Sequence, residues 1–114
     1  AAAARMKAIP VGSDHDVFGD GRVRIIPTPG HTPGHRALLV RLPRSGAVML
    51  SGDLYHTREN YERSLVPAVN VSRADTLASF DRFRRIAERE KARVIVQHAP
   101  EDFARMAAFP GWLD

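Results

Sequence analysis

His31, Asp53 and His98 each follow a short apolar run that reads as a strand: Ile25-Ile26 precedes the first, Met49-Leu50 the second and Val94–Val96 the third. Strand ends are where a rigid sheet hands side chains to a site. Two imidazoles and a carboxylate are donors that zinc accepts when thiolates are absent, and this sequence has no cysteine. Each residue alone is weak evidence, because a lone histidine more often serves as a surface or hydrogen-bonded group, and Gly-Asp after a strand is common turn chemistry. Pro29 and Gly30 fix a tight loop from which an imidazole can reach a metal close to backbone. His35 competes with His31 in that loop, but it opens directly into the next apolar run, which suits a structural hydrogen bond. His15, between Asp14 and Asp16, superficially suggests a metal cluster; ahead of a hairpin, it reads as a surface residue.

These side chains need a β-rich frame. Val17, Val23, Ile25 and Pro27 alternate around Gly19-Asp20-Gly21, which predicts two short strands joined by a hairpin turn. The run Ala37–Leu42, a turn at Pro43–Gly46 and the run Ala47–Leu50 predict a second hairpin, ending at Ser51-Gly52-Asp53. Ser72 with Asp75 resembles a capping box in which Asp replaces Glu or Gln. Leu77, Phe80, Phe83, Ile86 and Ala87 then recur every three or four positions, predicting a helix with one buried stripe. Its opposite face, with Arg82, Arg85, Glu88, Arg89 and Lys91, reads as solvated. Arg93–Gln97 is a β-branched strand ahead of His98, and Glu101–Ala108 predicts a last short helix ended by Pro110 and Gly111. No internal repeat, low-complexity tract or interdomain linker interrupts the pattern.

A chain of 114 residues is the size of one small domain, and its 44% hydrophobic and 26% charged content argues against disorder. The longest apolar runs fall far short of the ~20 residues that span a bilayer. Ala1–Ala4 with Arg5 and Met6 lacks the apolar core of a signal peptide and reads as a tag scar or a break within a longer chain, so localisation is not legible. The net charge of +4 is spread over bases interleaved with acids, so neither a nucleic acid nor a membrane surface is expected as partner.

The residues Thr28–His35, Thr-Pro-Gly-His-Thr-Pro-Gly-His, resemble a loop of the metallo-β-lactamase superfamily, and Ser51-Gly52-Asp53 and His98 follow in that superfamily's order. Gly52–His56 with Arg58-Glu59-Asn60, and Asn70 with Ser72 before the long helix, are similar to its N-acyl homoserine lactonase branch. The resemblance runs from about Ile9 to Phe109. It implies an α/β fold in which residues 1–114 form the C-terminal half of an αβ/βα sandwich, a mixed, mostly antiparallel sheet with flanking helices. It further implies that His31 is the third histidine of one zinc site, that Asp53 bridges two Zn2+ ions, and that His98 completes the second site. The implied activity is opening of the lactone ring of N-acyl homoserine lactones, small-molecule quorum-sensing signals, by a zinc-activated hydroxide. His56 stands three residues after Asp53, where such lactonases carry tyrosine or histidine. There it would hydrogen-bond the lactone oxygen or protonate the leaving alkoxide, the plainer alternative being an exposed loop histidine.

The superfamily's His-x-His-x-Asp-His signature, which supplies four ligands from the N-terminal half, has no match in this sequence. Ala99 follows His98 where many relatives have an acidic residue, so support of that imidazole is expected to differ. The expectation is a partial site whose other half comes in cis or in trans, with the inner sheet face left apolar. Assembly into a homo-oligomer stays open. Two alternatives remain: another hydrolase of the same fold, such as a glyoxalase-II-like thioesterase, and a non-catalytic fragment lacking the N-terminal metal motif.

Overall fold

A computed structural model describes residues 5–114, so the reading of Ala1–Ala4 falls outside the described residues. The elements run β1 (His15–Asp16), β2 (Val23–Pro27), β3 (Arg36–Leu42), β4 (Gly46–Leu50), α1 (Arg58–Arg63), α2 (Arg73–Glu90), β5 (Arg93–Ile95) and α3 (Pro100–Ala104), with a 3-10 turn at Gly52–Leu54. They build one five-stranded sheet ordered β1-β2-β3-β4-β5, antiparallel throughout except for the parallel pair β4 and β5. A mixed, mostly antiparallel sheet with flanking helices is the arrangement expected from the sequence. No helix among the described residues is long and apolar enough to cross a membrane.

Both hairpins form, with one local difference. The Asp16 carboxylate accepts the Gly19 N–H at 2.9 Å and the Gly21 N–H at 2.8 Å, closing the first turn early. Strand pairing therefore falls on His15 and Asp16, and Val17, expected inside the first strand, is exposed. The long helix begins where its cap predicts, the Ser72 hydroxyl accepting the Asp75 N–H at 3.2 Å. Leu77 departs from the expected stripe: it is 43% exposed, while Thr76 and Ser79 are buried in its place. A hydrogen-bonding need outranks hydropathy at that turn, since Thr76 Oγ1 donates to Asn70 Oδ1 at 2.7 Å and Ser79 Oγ to the Pro29 carbonyl at 2.7 Å. The last strand and last helix are shorter than the sequence suggested, Arg93–Ile95 and Pro100–Ala104.

Alternation along the strands sends Ile26, Ala37, Leu39 and Met49 toward α2, where Tyr55, Phe80, Phe83, Ile86 and Val96 complete the core. The opposite face is apolar too. Cross-strand register lines up Ile25, Leu38, Leu50 and Ile95 in one row, and Val23, Val40 and Val48 in the next. Ile25, Leu38, Val40 and Leu50 of that face are half-buried, while Val48 and Ile95 in the same rows are buried.

Two long-range contacts fix the loops. Gly30 has φ +141°, and a Cβ there would lie 2.0 Å from Thr76 Oγ1, so only glycine lets this loop touch the first turn of α2. Its carbonyl accepts the N–H groups of Val71 at 3.0 Å and Ser72 at 2.8 Å. At the other end of the sheet's working edge, buried Asp102 of α3 accepts the Val96 N–H at 2.8 Å and pairs with Arg58 of α1 at 2.9 Å.

Gly30→Ala is expected to destabilise the fold by about 3 kcal/mol, combining backbone strain with a clash that the start of the helix cannot relieve. Urea unfolding measures it, and an unchanged midpoint would contradict the close approach. Asp102→Leu is expected to cost roughly 2–3 kcal/mol, because the Val96 N–H and the Arg58 guanidinium lose a shared partner; the same titration reads it.

Candidate metal centre

β2, β4 and β5 run in one direction, since β2 and β4 both oppose β3 while β5 parallels β4. Their C-terminal ends therefore meet along one edge of the sheet, and the loops leaving them carry His31, Asp53 and His98.

His31 sits in a loop stitched to the start of α2 through Gly30. Its Nδ1 donates to the Val69 carbonyl at 3.0 Å, because a carbonyl only accepts. Its Nε2 faces Asp53 Oδ2 at 3.4 Å. A far ring nitrogen held by a backbone carbonyl is the support that metal-ligating histidines commonly have.

Asp53 lies in the 3-10 turn, followed by Leu54 and Tyr55, both fully buried. The Tyr55 ring stacks on Phe80 with centroids 4.6 Å apart and meets Phe83 edge-on, anchoring the turn to α2. Burial pushes the Tyr55 hydroxyl up to about 12, so it stays protonated. The Asp53 carboxylate remains partly open, with Oδ1 2.5 Å from His98 Nε2. That hydrogen bond, with the nearby His31, holds its pKa below the usual carboxylate range.

His56 completes a ring of imidazoles, 5.4 Å from His31 and 5.8 Å from His98 between centroids, each crossed nearly edge to face. Burial, then His31, keeps it more reluctant to protonate than a free histidine. It enters through the Thr57 cap of α1, where the Asn60 side chain accepts the N–H groups of His56 and Thr57. His15, in edge strand β1 opposite Ile25, enters none of these contacts among the described residues.

His35 stands in the same loop as His31 but turns the other way. Its Nδ1 lies 2.9 Å from both the carbonyl and the hydroxyl of buried Thr28, and its Nε2 accepts the backbone N–H of Asp53 at 2.9 Å. Burial lowers its basicity, in keeping with a neutral ring that must accept at Nε2. Gln97 was not singled out by the sequence. Its Oε1 accepts the Gly52 N–H at 2.6 Å, a contact whose only sequence trace is a polar residue beside His98 at the end of an apolar strand.

The donor types suit zinc: two imidazole Nε2 atoms and one carboxylate whose two oxygens face different rings. The number does not make a cage. Among the described residues no group of three or more His, Asp or Glu side chains is already disposed to hold an ion. His31 and His98 flank Asp53 on separate oxygens rather than surrounding one point.

No protein-family model matches the chain. It is 36% identical over 100 residues to the N-acyl homoserine lactonase AttM of Azorhizobium caulinodans, covering 88% of this chain and 38% of that relative. It is 40% identical over 96 residues to AttM of Rhizobium radiobacter, covering 84% and 36%. A solved N-acyl homoserine lactone hydrolase with the product N-hexanoyl-L-homoserine at its catalytic metal center shares the fold with a TM-score of 0.79. The two are 31% identical over 88% of this chain and 39% of the solved one. The chain thus spans a little over a third of the length of the curated relatives it matches. In sequence and in its mixed α/β fold, it is a homologue of the N-acyl homoserine lactonases of the metallo-β-lactamase superfamily.

Proposed function

We propose that these residues form the C-terminal half of a zinc-dependent hydrolase that opens the lactone ring of N-acyl homoserine lactones. One observation carries the reading: the two oxygens of Asp53 are presented to two different imidazoles, His98 at 2.5 Å and His31 at 3.4 Å. A carboxylate so placed can bridge two cations, with His31 ligating one and His98 the other. Relatives named as lactonases support the substrate class. When bound, the zinc pair would supply Lewis acidity and a hydroxide nucleophile at neutral pH.

The chain's own residues set the geometry of that reaction. Asp53 fixes the separation of the two positions, because both depend on one rigidly seated carboxylate. His31 is aimed by its hydrogen bond to Val69, whereas His98 is 57% exposed in its side chain and held mainly through Asp53. His56 sits between the two ligating rings, within reach of a leaving alkoxide, and its neutral form can donate a ring N–H to that oxygen. The remaining ligands come from an N-terminal half that docks on the half-buried rows of Ile25, Leu38, Val40 and Leu50.

In the complete protein, Asp53→Asn is expected to lower kcat by more than His56→Phe, for which loss of one hydrogen bond to a charged oxygen gives about 10- to 100-fold. Steady-state lactone opening ranks the two; the reverse order would remove Asp53 as the bridge. His98→Ala is expected to lower the zinc content on metal analysis, and full occupancy would take His98 out of the site. The isolated chain should open no lactone with added zinc, since a catalytic zinc needs about three protein ligands plus water. Addition of the N-terminal half should restore turnover, and turnover by the chain alone would overturn the assignment.

A further inference from the structure

We propose that His35 and Gln97 are positioning residues that grip the Gly52-Asp53 backbone from opposite sides and so set where the Asp53 carboxylate sits between His31 and His98. This rests on the reading of Asp53 as the shared ligand, and it adds the groups that place it.

The geometry is a clamp on two consecutive N–H groups. His35 Nε2 takes the Asp53 N–H at 2.9 Å, and Gln97 Oε1 takes the Gly52 N–H at 2.6 Å. His35 precedes β3 and belongs to the loop that holds His31, while Gln97 is the immediate neighbour of His98. Each grip therefore comes from a segment that also carries one of the two flanking histidines. A shift of either segment moves the aspartate with it, so the three side chains keep their spacing.

The His35 ring has its proton assigned by chemistry. The Thr28 carbonyl can only accept, so Nδ1 carries the hydrogen and Nε2 offers its lone pair. One neutral tautomer satisfies both ends at once. The approach also explains Gly52: at φ +55° its position would bring a Cβ within 2.7 Å of His35 Nε2 and 3.2 Å of the Arg36 carbonyl. Glycine leaves the gap through which the imidazole reaches the next N–H.

Two substitutions in the complete protein separate the ends of the ring. His35→Asn keeps an amide near the Nδ1 position, able to donate to Thr28, and removes the acceptor for Asp53. His35→Gln places an amide oxygen near the Nε2 position and keeps that acceptor. Amide hydrogen exchange at Asp53 in the zinc-free protein, zinc affinity by chelator competition, and kcat with KM are read on both, with Gln97→Ala as a second probe of the clamp. His35→Asn is expected to lose protection at Asp53, to bind zinc about 10- to 100-fold more weakly and to lower kcat with little change in KM. His35→Gln should retain most of all three, and Gln97→Ala should shift them in the same direction as His35→Asn. Unchanged Asp53 exchange and zinc affinity in His35→Asn, or equal losses in the Asn and Gln variants, would overturn the clamp. Failure of the underlying reading is distinct: there, Asp53→Asn itself would leave zinc affinity untouched.

Discussion

Strand direction is the constraint on which the site depends. Three strands pointing one way deliver three loops to a single edge, and a β-sheet can do this only where intervening strands or crossovers return the chain. β3 returns it once, between the loops of His31 and Asp53. The stretch from the Gly52 turn through α2 returns it again, by a crossover that makes β5 parallel to β4. The functional side chains come from loops, but their convergence is a property of the sheet.

Helix α2 stabilises this edge as well as the core. Its first turn accepts the close approach of Gly30, its Ser79 bonds the Pro29 carbonyl, and its Phe80 and Phe83 hold Tyr55 behind Asp53. Two of the three loops are thus seated on one helix, and the third is seated by Asp102 and Arg58 through the Val96 N–H. The carboxylate at the centre can stay open because the atoms behind it are buried and bonded.

Much of this was legible from residue types and order. Apolar runs ahead of His31, Asp53 and His98 marked the strands, and the structure brings those side chains and His56 to one place. The alternation read for the first hairpin ran through Val23 and Ile25, whereas the structure turns Ile26, of the other phase, toward α2. What could not be read were contacts across long sequence separation. Leu77 fitted a helical stripe by spacing, yet the pairing of Thr76 with Asn70 turned a polar residue inward instead. Helix α1 is only six residues long, too short for periodicity to declare, and rests on the Thr57 and Asn60 cap. Gln97 and Asp102 look like ordinary polar residues until the strand beside them fixes which N–H they meet.

The parallel pairing of β4 with β5 bears on the order in which the chain folds. β2, β3 and β4 are joined by short connections, so closing them costs little chain entropy and can happen early. Asp53 and His98 are 45 positions apart, and their contact waits for α2 to form and swing the last strand back. A chain caught midway would already hold His31, His35 and Asp53 in neighbouring loops, with Gly52 ungripped on the Gln97 side. Competence at this edge arrives last, as a by-product of completing the sheet.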